Sequence, residues 1–176
     1  EGGTVHVTDG TFNTGKLSIA KAVTIDGSDA GTTTLNTTAS PNYGIHVTRS
    51  GVTLRDVDVV GPNDPSAGFG LKISGTSAPA PINVTLEDVA VTNSARTEID
   101  LNNVRGATLR NVVADGNDTA GVGVALSATQ DVLLDNVTTV DNAWGGVGLY
   151  DYDPAAGHQH NTSNVTIQNS DLQESV

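Results

Sequence analysis

The nine residues VTLRDVDVV at 52–60 decide the fold, because the chain writes them again with small changes. VTLEDVAVT follows at 84–92, ATLRNVVAD at 107–115, VLLDNVTTV at 132–140 and VTIQNSDLQ at 165–173. The copies begin 32, 23, 25 and 33 residues apart. A fixed phrase at a variable spacing of this order marks a solenoid, in which each coil must lay the same side chains on the coil below while its surface loops vary in length. Within each phrase apolar and polar residues alternate, as at Val52 and Leu54 or Val84 and Leu86, which is the period of a strand with one buried face. The residue after the first strand is always Asp or Asn: Asp56, Asp88, Asn111, Asn136 and Asn169. These are the non-glycine residues that best tolerate left-handed backbone angles, so a single one makes a sharp corner, and stacked amides can hydrogen-bond as a ladder. The phrase therefore predicts strand, one-residue corner, strand.

A third strand precedes each phrase: GIHVT at 44–48, GLKIS at 70–74, EIDLN at 98–102, GVALS at 123–127 and GVGLY at 146–150. Three short parallel strands per coil give an all-β parallel β-helix that grows by about 4.8 Å per turn. The 176 residues form a single domain, 1–176, of about five to six turns. The positions after Thr53, Thr85, Thr108 and Thr166 support the register. There, counting two residues on, the outward series runs Arg55, Glu87, Arg110, Asp135 and Gln168, and alternating sign is what stacked neighbours favour. Neither end carries an amphipathic capping helix, so the chain is expected to be a piece of a longer β-helix protein, or to pack end to end with another chain.

Composition bounds the partners. A net charge of −12 argues against nucleic acid and anionic membranes, and no apolar run is long enough to insert in a bilayer. A polyanionic ligand would need a local basic patch or a bridging cation. Cysteine is absent, so no disulfide staples the coil.

Leu-Arg-Asn-Val corners and the opening GGTVHVTDGTF with LSIAKAVTIDG resemble the right-handed parallel β-helices of the pectate-lyase-like superfamily. That group includes pectate lyases, polygalacturonases, pectin methylesterases, mannuronan C5-epimerases and NosD-type carbohydrate-binding proteins. The resemblance covers nearly the whole chain and implies a substrate groove along the strand that precedes the corner pair. It implies an extracellular or cell-surface protein acting on or binding an acidic polysaccharide, with lyase or epimerase chemistry. The alternative is a non-catalytic structural or adhesin module of a cell-surface protein, since one scaffold carries many chemistries and also none.

Lining up the outward residues of that strand gives the files Gly44, Gly70, Glu98, Gly123, Gly146; then His46, Lys72, Asp100, Ala125, Gly148; then Thr48, Ser74, Asn102, Ser127, Tyr150. His46, Lys72 and Asp100 become consecutive neighbours and the candidate catalytic trio: a cation to neutralise a uronate carboxylate, a base for its C5 proton and an acid for the departing oxygen. Small Ala125 and Gly148 leave room beside them for a sugar. Glu98, Asn102, Trp144, Tyr150 and Tyr152 are candidate substrate-binding residues, the aromatic ones by stacking on sugar rings. Equally, Lys72 and Asp100 make an ordinary cross-strand pair with His46 beside it. The partial resemblance to mannuronan C5-epimerases places Asp100 on the Asp of their Tyr-Gly-Phe-Asp-Pro-His motif and Lys72 near their Lys. Asn102 stands in place of the motif's His, and its aromatic residues are missing. In the loop YDYDPAAGHQHNTSN at 150–164, Asp151 and Asp153 are the candidate ligands of a calcium ion, and His158 and His160 of a softer metal.

Overall fold

The computed structural model describes residues 2–29, 31–64, 68–75, 82–117, 121–150, 153, 155 and 160–174. Its strands are β1 (Gly3–His6), β2 (Gly10–Asn13), β3 (Leu17–Ile19), β4 (Val23–Asp26), β5 (Thr33–Asn36), β6 (Tyr43–Val47), β7 (Val52–Val60) and β8 (Phe69–Ser74). They continue as β9 (Ile82–Thr92), β10 (Thr97–Asn102), β11 (Val104–Asp115), β12 (Val122–Ser127), β13 (Gln130–Val140), β14 (Gly145–Tyr150), β15 (Ser163–Gln168) and β16 (Asp171–Leu172). All pair in parallel, and the chain winds as a β-solenoid of about five turns. A ten-stranded sheet has the main order β1-β4-β7-β9-β11-β13-β15, with β2 and β5 extending beside β7 and β16 beside β13. A six-stranded sheet has the order β14-β12-β10-β8-β6-β3.

Each recurring phrase forms one bent strand. Asp56, Asp88, Asn111, Asn136 and Asn169 all sit at φ of 53–55°, and the pairing resumes in register on both sides of them, as in Arg55 with Glu87 and Val57 with Val89. The bend turns the strand without interrupting the ladder, so three sides of the coil are served by two sheets. The outward series is confirmed by the pairings Arg55–Glu87, Glu87–Arg110, Arg110–Asp135 and Asp135–Gln168.

Inward residues stack in aliphatic files. Leu54, Leu86, Leu109 and Leu134 have no exposed surface, and neither have Ile45, Leu71 and Ile99 on the other sheet. Burying a Leu or Ile side chain stabilises the fold by roughly 1.5–3 kcal/mol, and repetition of the same contact from coil to coil makes the core continuous. The files run out at exposed Val5 near the first coil and at Leu149 and Ile167 in the last.

The corner residues stand in one file, with a partial ladder along it. Asn136 Nδ2 donates to Asn111 Oδ1 and Asn111 Nδ2 donates to Asp88 Oδ1, both at 2.9 Å. Asn169 bonds instead to Asp135 at 2.8 Å. At the other end two carboxylates are stacked, and the Asp56 carboxyl is pushed above the usual range by its partial burial, then by the charges of Asp88 and Asp26. Replacing Asp88 by Asn supplies a donor for Asp56 and keeps an acceptor for Asn111. Asp88→Asn is expected to stabilise the protein by roughly 0.5–1.5 kcal/mol in urea unfolding at pH 7. The gain should shrink at acidic pH, where Asp56 carries its own proton.

Candidate functional site

The six-stranded sheet carries a cleft of about 340 Å³ on its outer face, walled by Phe69, Lys72, Arg96, Asp100, Trp144 and Tyr150 and floored by Ala125. This is within the range of small-ligand sites. Strand register brings the groups together: Lys72 pairs with Asp100, Asp100 with Ala125 and Ala125 with Gly148.

Of the trio, Lys72 and Asp100 meet directly. The Lys72 ammonium bonds the Asp100 carboxylate, and both side chains are largely buried, 13% and 6% exposed. Formally the pair cancels its own charge. His46 occupies the predicted position beside Lys72, but among the described residues no hydrogen bond or ion pair joins it to either partner. Its ring lies 4.9 Å from that of Tyr43, and Nε2 is buried without a partner. Burial, and then the charges of Lys16 and Lys72, hold the imidazole below its ordinary value, which favours the neutral ring.

Glu98 differs from expectation. It is fully buried, its carboxyl accepting from the backbone N–H of Ser94 at 2.9 Å and from the Ser94 hydroxyl at 2.6 Å. The whole file of Gly44, Gly70, Glu98, Gly123 and Gly146 faces into the corner of the coil rather than outward. A Cβ on Gly70 would stand 2.4 Å from Ser94 Oγ, and one on Gly146 would stand 2.2 Å from Thr139 Oγ1. Burial without a cation pushes the Glu98 carboxyl up to about 8, against the lowering effect of its two Ser94 hydrogen bonds.

Asn102, Trp144 and Tyr150 line the cleft. Trp144 is 74% exposed. The room anticipated over Gly148 is taken by the Tyr150 ring, 2.8 Å from where a Cβ would stand. Of the two small positions expected to leave room, Ala125 therefore lines the cleft, together with the Lys72–Asp100 pair and the aromatic side chains. Asp151, Tyr152 and His158 lie outside the described residues. Asp153 accepts from the N–H of Ala155 at 2.9 Å. Among the described residues no three His, Asp or Glu side chains gather as a metal site, and no helix is long and apolar enough to cross a membrane.

Arg96 and Phe69 were missed in the sequence. Arg96 projects from the short corner NSART with its guanidinium 5.1 Å from the centre of the Phe69 ring, and Lys72 approaches the same ring at 4.9 Å. Farther along, Phe69 packs on Tyr43 at 5.7 Å and Lys16 lies over Tyr43 at 5.2 Å. Cation–ring contacts of this length are attractive and leave the charge accessible. On the ten-stranded sheet, Arg55, Arg105 and Arg110 are each tied to an aspartate, Asp26, Asp131 and Asp135. Among the described residues Arg96 has no such partner. With Lys72 and Asp100 cancelling, Arg96 leaves the described lining of the cleft formally positive in a chain of net charge −12. The available signal was an arginine in a four-residue loop of a very acidic sequence.

Residues 21–175 match the family described as a right handed beta helix region. No curated protein and no solved structure matches the chain.

Proposed function

From its membership of the right-handed β-helix family, and from the cleft on the six-stranded sheet, we propose that this protein binds an acidic polysaccharide of the extracellular or cell-surface environment along that sheet. The observation that carries this reading is Arg96, an exposed guanidinium without an ionic partner among the described residues, set beside Trp144 and Tyr150. A uronate unit offers what these groups recognise: a planar carboxylate for the guanidinium fork and a sugar face for a ring. The floor at Ala125 seats one such unit against the Lys72–Asp100 pair.

That pair supplies the acid–base couple of the lyase or epimerase step. An incoming carboxylate competes with Asp100 for Lys72, and the released Asp100 takes the C5 proton. The Lys72 ammonium gives one back, to the opposite face of C5 in an epimerase or to the departing O4 in a lyase, where the C4–O4 bond breaks as the C4–C5 double bond forms. The non-catalytic module remains the second reading, favoured by the closure of Lys72 on Asp100 and by the separation of His46 from both.

Binding of uronate and neutral oligosaccharides by calorimetry tests the first level. Arg96→Ala is expected to weaken uronate binding ten- to a hundredfold, the worth of a charge-assisted hydrogen bond of about 1.5–3 kcal/mol. Neutral chains should bind poorly to both proteins, and a wild-type affinity for neutral chains equal to that for uronate chains would refute the role of Arg96. Exchange of C5 deuterium into the polymer, together with ultraviolet absorbance of unsaturated product, tests the second level. Turnover lost in Lys72→Ala and Asp100→Asn supports catalysis, whereas binding without turnover in the wild type selects the non-catalytic module.

A further inference from the structure

The corners that present Arg96 and Trp144 are closed by the same device. Thr92 pairs with Asp115 and Asp115 with Val140, so Ser94 and Asn142 occupy equivalent places two coils apart. The N–H of Ser94 donates to Glu98 Oε1 at 2.9 Å. The N–H of Asn142 donates to Glu174 Oε2 at 2.6 Å, and Asn142 Nδ2 reaches Glu174 Oε1 at 3.4 Å. In both corners a glutamate carboxyl satisfies the amide that lies two residues before the side chain walling the cleft.

The two glutamates come from different parts of the chain, Glu98 from four residues on and Glu174 from 32 residues on. Glycines keep both corners open: a Cβ on Gly61 would meet the Ser94 hydroxyl that bonds Glu98 at 2.0 Å, and a Cβ on Gly146 would meet Glu174 Oε1 itself at 2.6 Å. The corners are also coupled through the coil between them: Gly121 N–H donates to the Arg96 carbonyl and the Trp144 N–H donates to the Gly121 carbonyl, both at 2.7 Å.

We propose that Glu98 and Glu174 are positioning residues which, by closing the corners at Ser94 and Asn142, hold Arg96 and Trp144 in place as walls of one cleft. The geometry stands by itself; what the walls bind rests on the acidic-polysaccharide reading above. Glutamine keeps an acceptor for the corner N–H without the charge, and alanine removes the acceptor while leaving the backbone sequence able to form strand, so the two substitutions separate loss of the corner-closing side chain from loss of its charge.

The test uses the full chain and its single tryptophan, Trp144. Glu174→Ala is expected to speed the decay of Trp144 fluorescence anisotropy, and Glu174→Gln to restore it. Glu98→Ala should raise amide hydrogen exchange at Arg96 and Gly121 at least tenfold, with Glu98→Gln near wild type. Affinity for a galacturonate hexamer should fall about tenfold in each alanine variant and stay within about twofold in each glutamine variant. Unchanged anisotropy and exchange in the alanine variants would overturn the proposal, as would glutamine variants as loose as the alanine ones. Loosened corners, rescued by glutamine, in a protein that does not bind the hexamer would uphold the positioning role and refute the ligand reading instead. Should Glu98→Ala fail to fold, Glu174→Ala, at a half-buried residue outside the strands, decides the matter.

Discussion

Asn111→Val is expected to destabilise the protein by about 3 kcal/mol, and Asn111→Gly by only about 1 kcal/mol. Asn111 holds φ at 53° in the middle of β11. A β-branched residue there meets the left-handed penalty of roughly 1–2 kcal/mol and forfeits the bonds to Asp88 and from Asn136. Glycine forfeits the same bonds but adopts the angle freely, so the difference between the two variants isolates the backbone cost. Thermal or urea unfolding measures both. Equal losses would mean that the amide ladder, not the corner angle, is what selects Asp and Asn at these places. Because neighbouring coils stabilise one another in a solenoid, the Val substitution should loosen β9 and β13 as well, visible as faster amide exchange on either side of the corner.

The second large effect follows from Glu98. Its carboxyl is pushed up to about 8 in the fold, from the ordinary 4.5. Below the ordinary value folded and unfolded chains are both protonated and the residue contributes no pH dependence. Between the two values the unfolded chain ionises while the folded one keeps its proton, so stability falls as pH rises and the loss is complete above the folded value. Glu98→Gln cannot ionise and retains both contacts to Ser94. It should therefore match the wild type near pH 4.5 and exceed it by a few kcal/mol near pH 8, a difference accumulating at up to about 1.4 kcal/mol per pH unit. A constant difference across that range would show that Glu98 is ionised in the fold. The comparison of the two proteins also removes the opposite trend from Asp26, Asp131 and Asp135. Hydrogen-bond and ion partners hold these carboxyls below the usual range, Arg55 foremost for Asp26, Asn164 for Asp131 and Asn169 for Asp135, so their contribution is lost only at acid pH.

Much of the coil was legible because its constraints act on single residues at fixed intervals. The left-handed corner selects Asp or Asn, the inward file selects Val, Leu or Ile, and the outward file shows alternating charge. A second corner just before the phrase is harder to read. Its file is Gly51, Asn83, Gly106, Asp131 and Asn164, and all but Asn83 have positive φ; the Gly, Asn and Asp there resemble ordinary loop residues. A third corner even uses Ala128 at φ 51°, an angle that alanine does not advertise. The lining of the cleft was legible where strand register fixes it, at Lys72, Asp100 and Asn102. It was misread at Glu98, because a file of glycines signals equally well an open outer groove and a crowded inner corner. Arg96 was missed because loops of unequal length hide which loop residue returns over the sheet.

The most direct test of the cleft's role is titration of the protein with a galacturonate hexamer, read through the emission of Trp144. A binding cleft of the kind described predicts a saturable change that is lost in Arg96→Ala and absent with a neutral hexamer of glucose. No change with either sugar, or the same change with both, would contradict it.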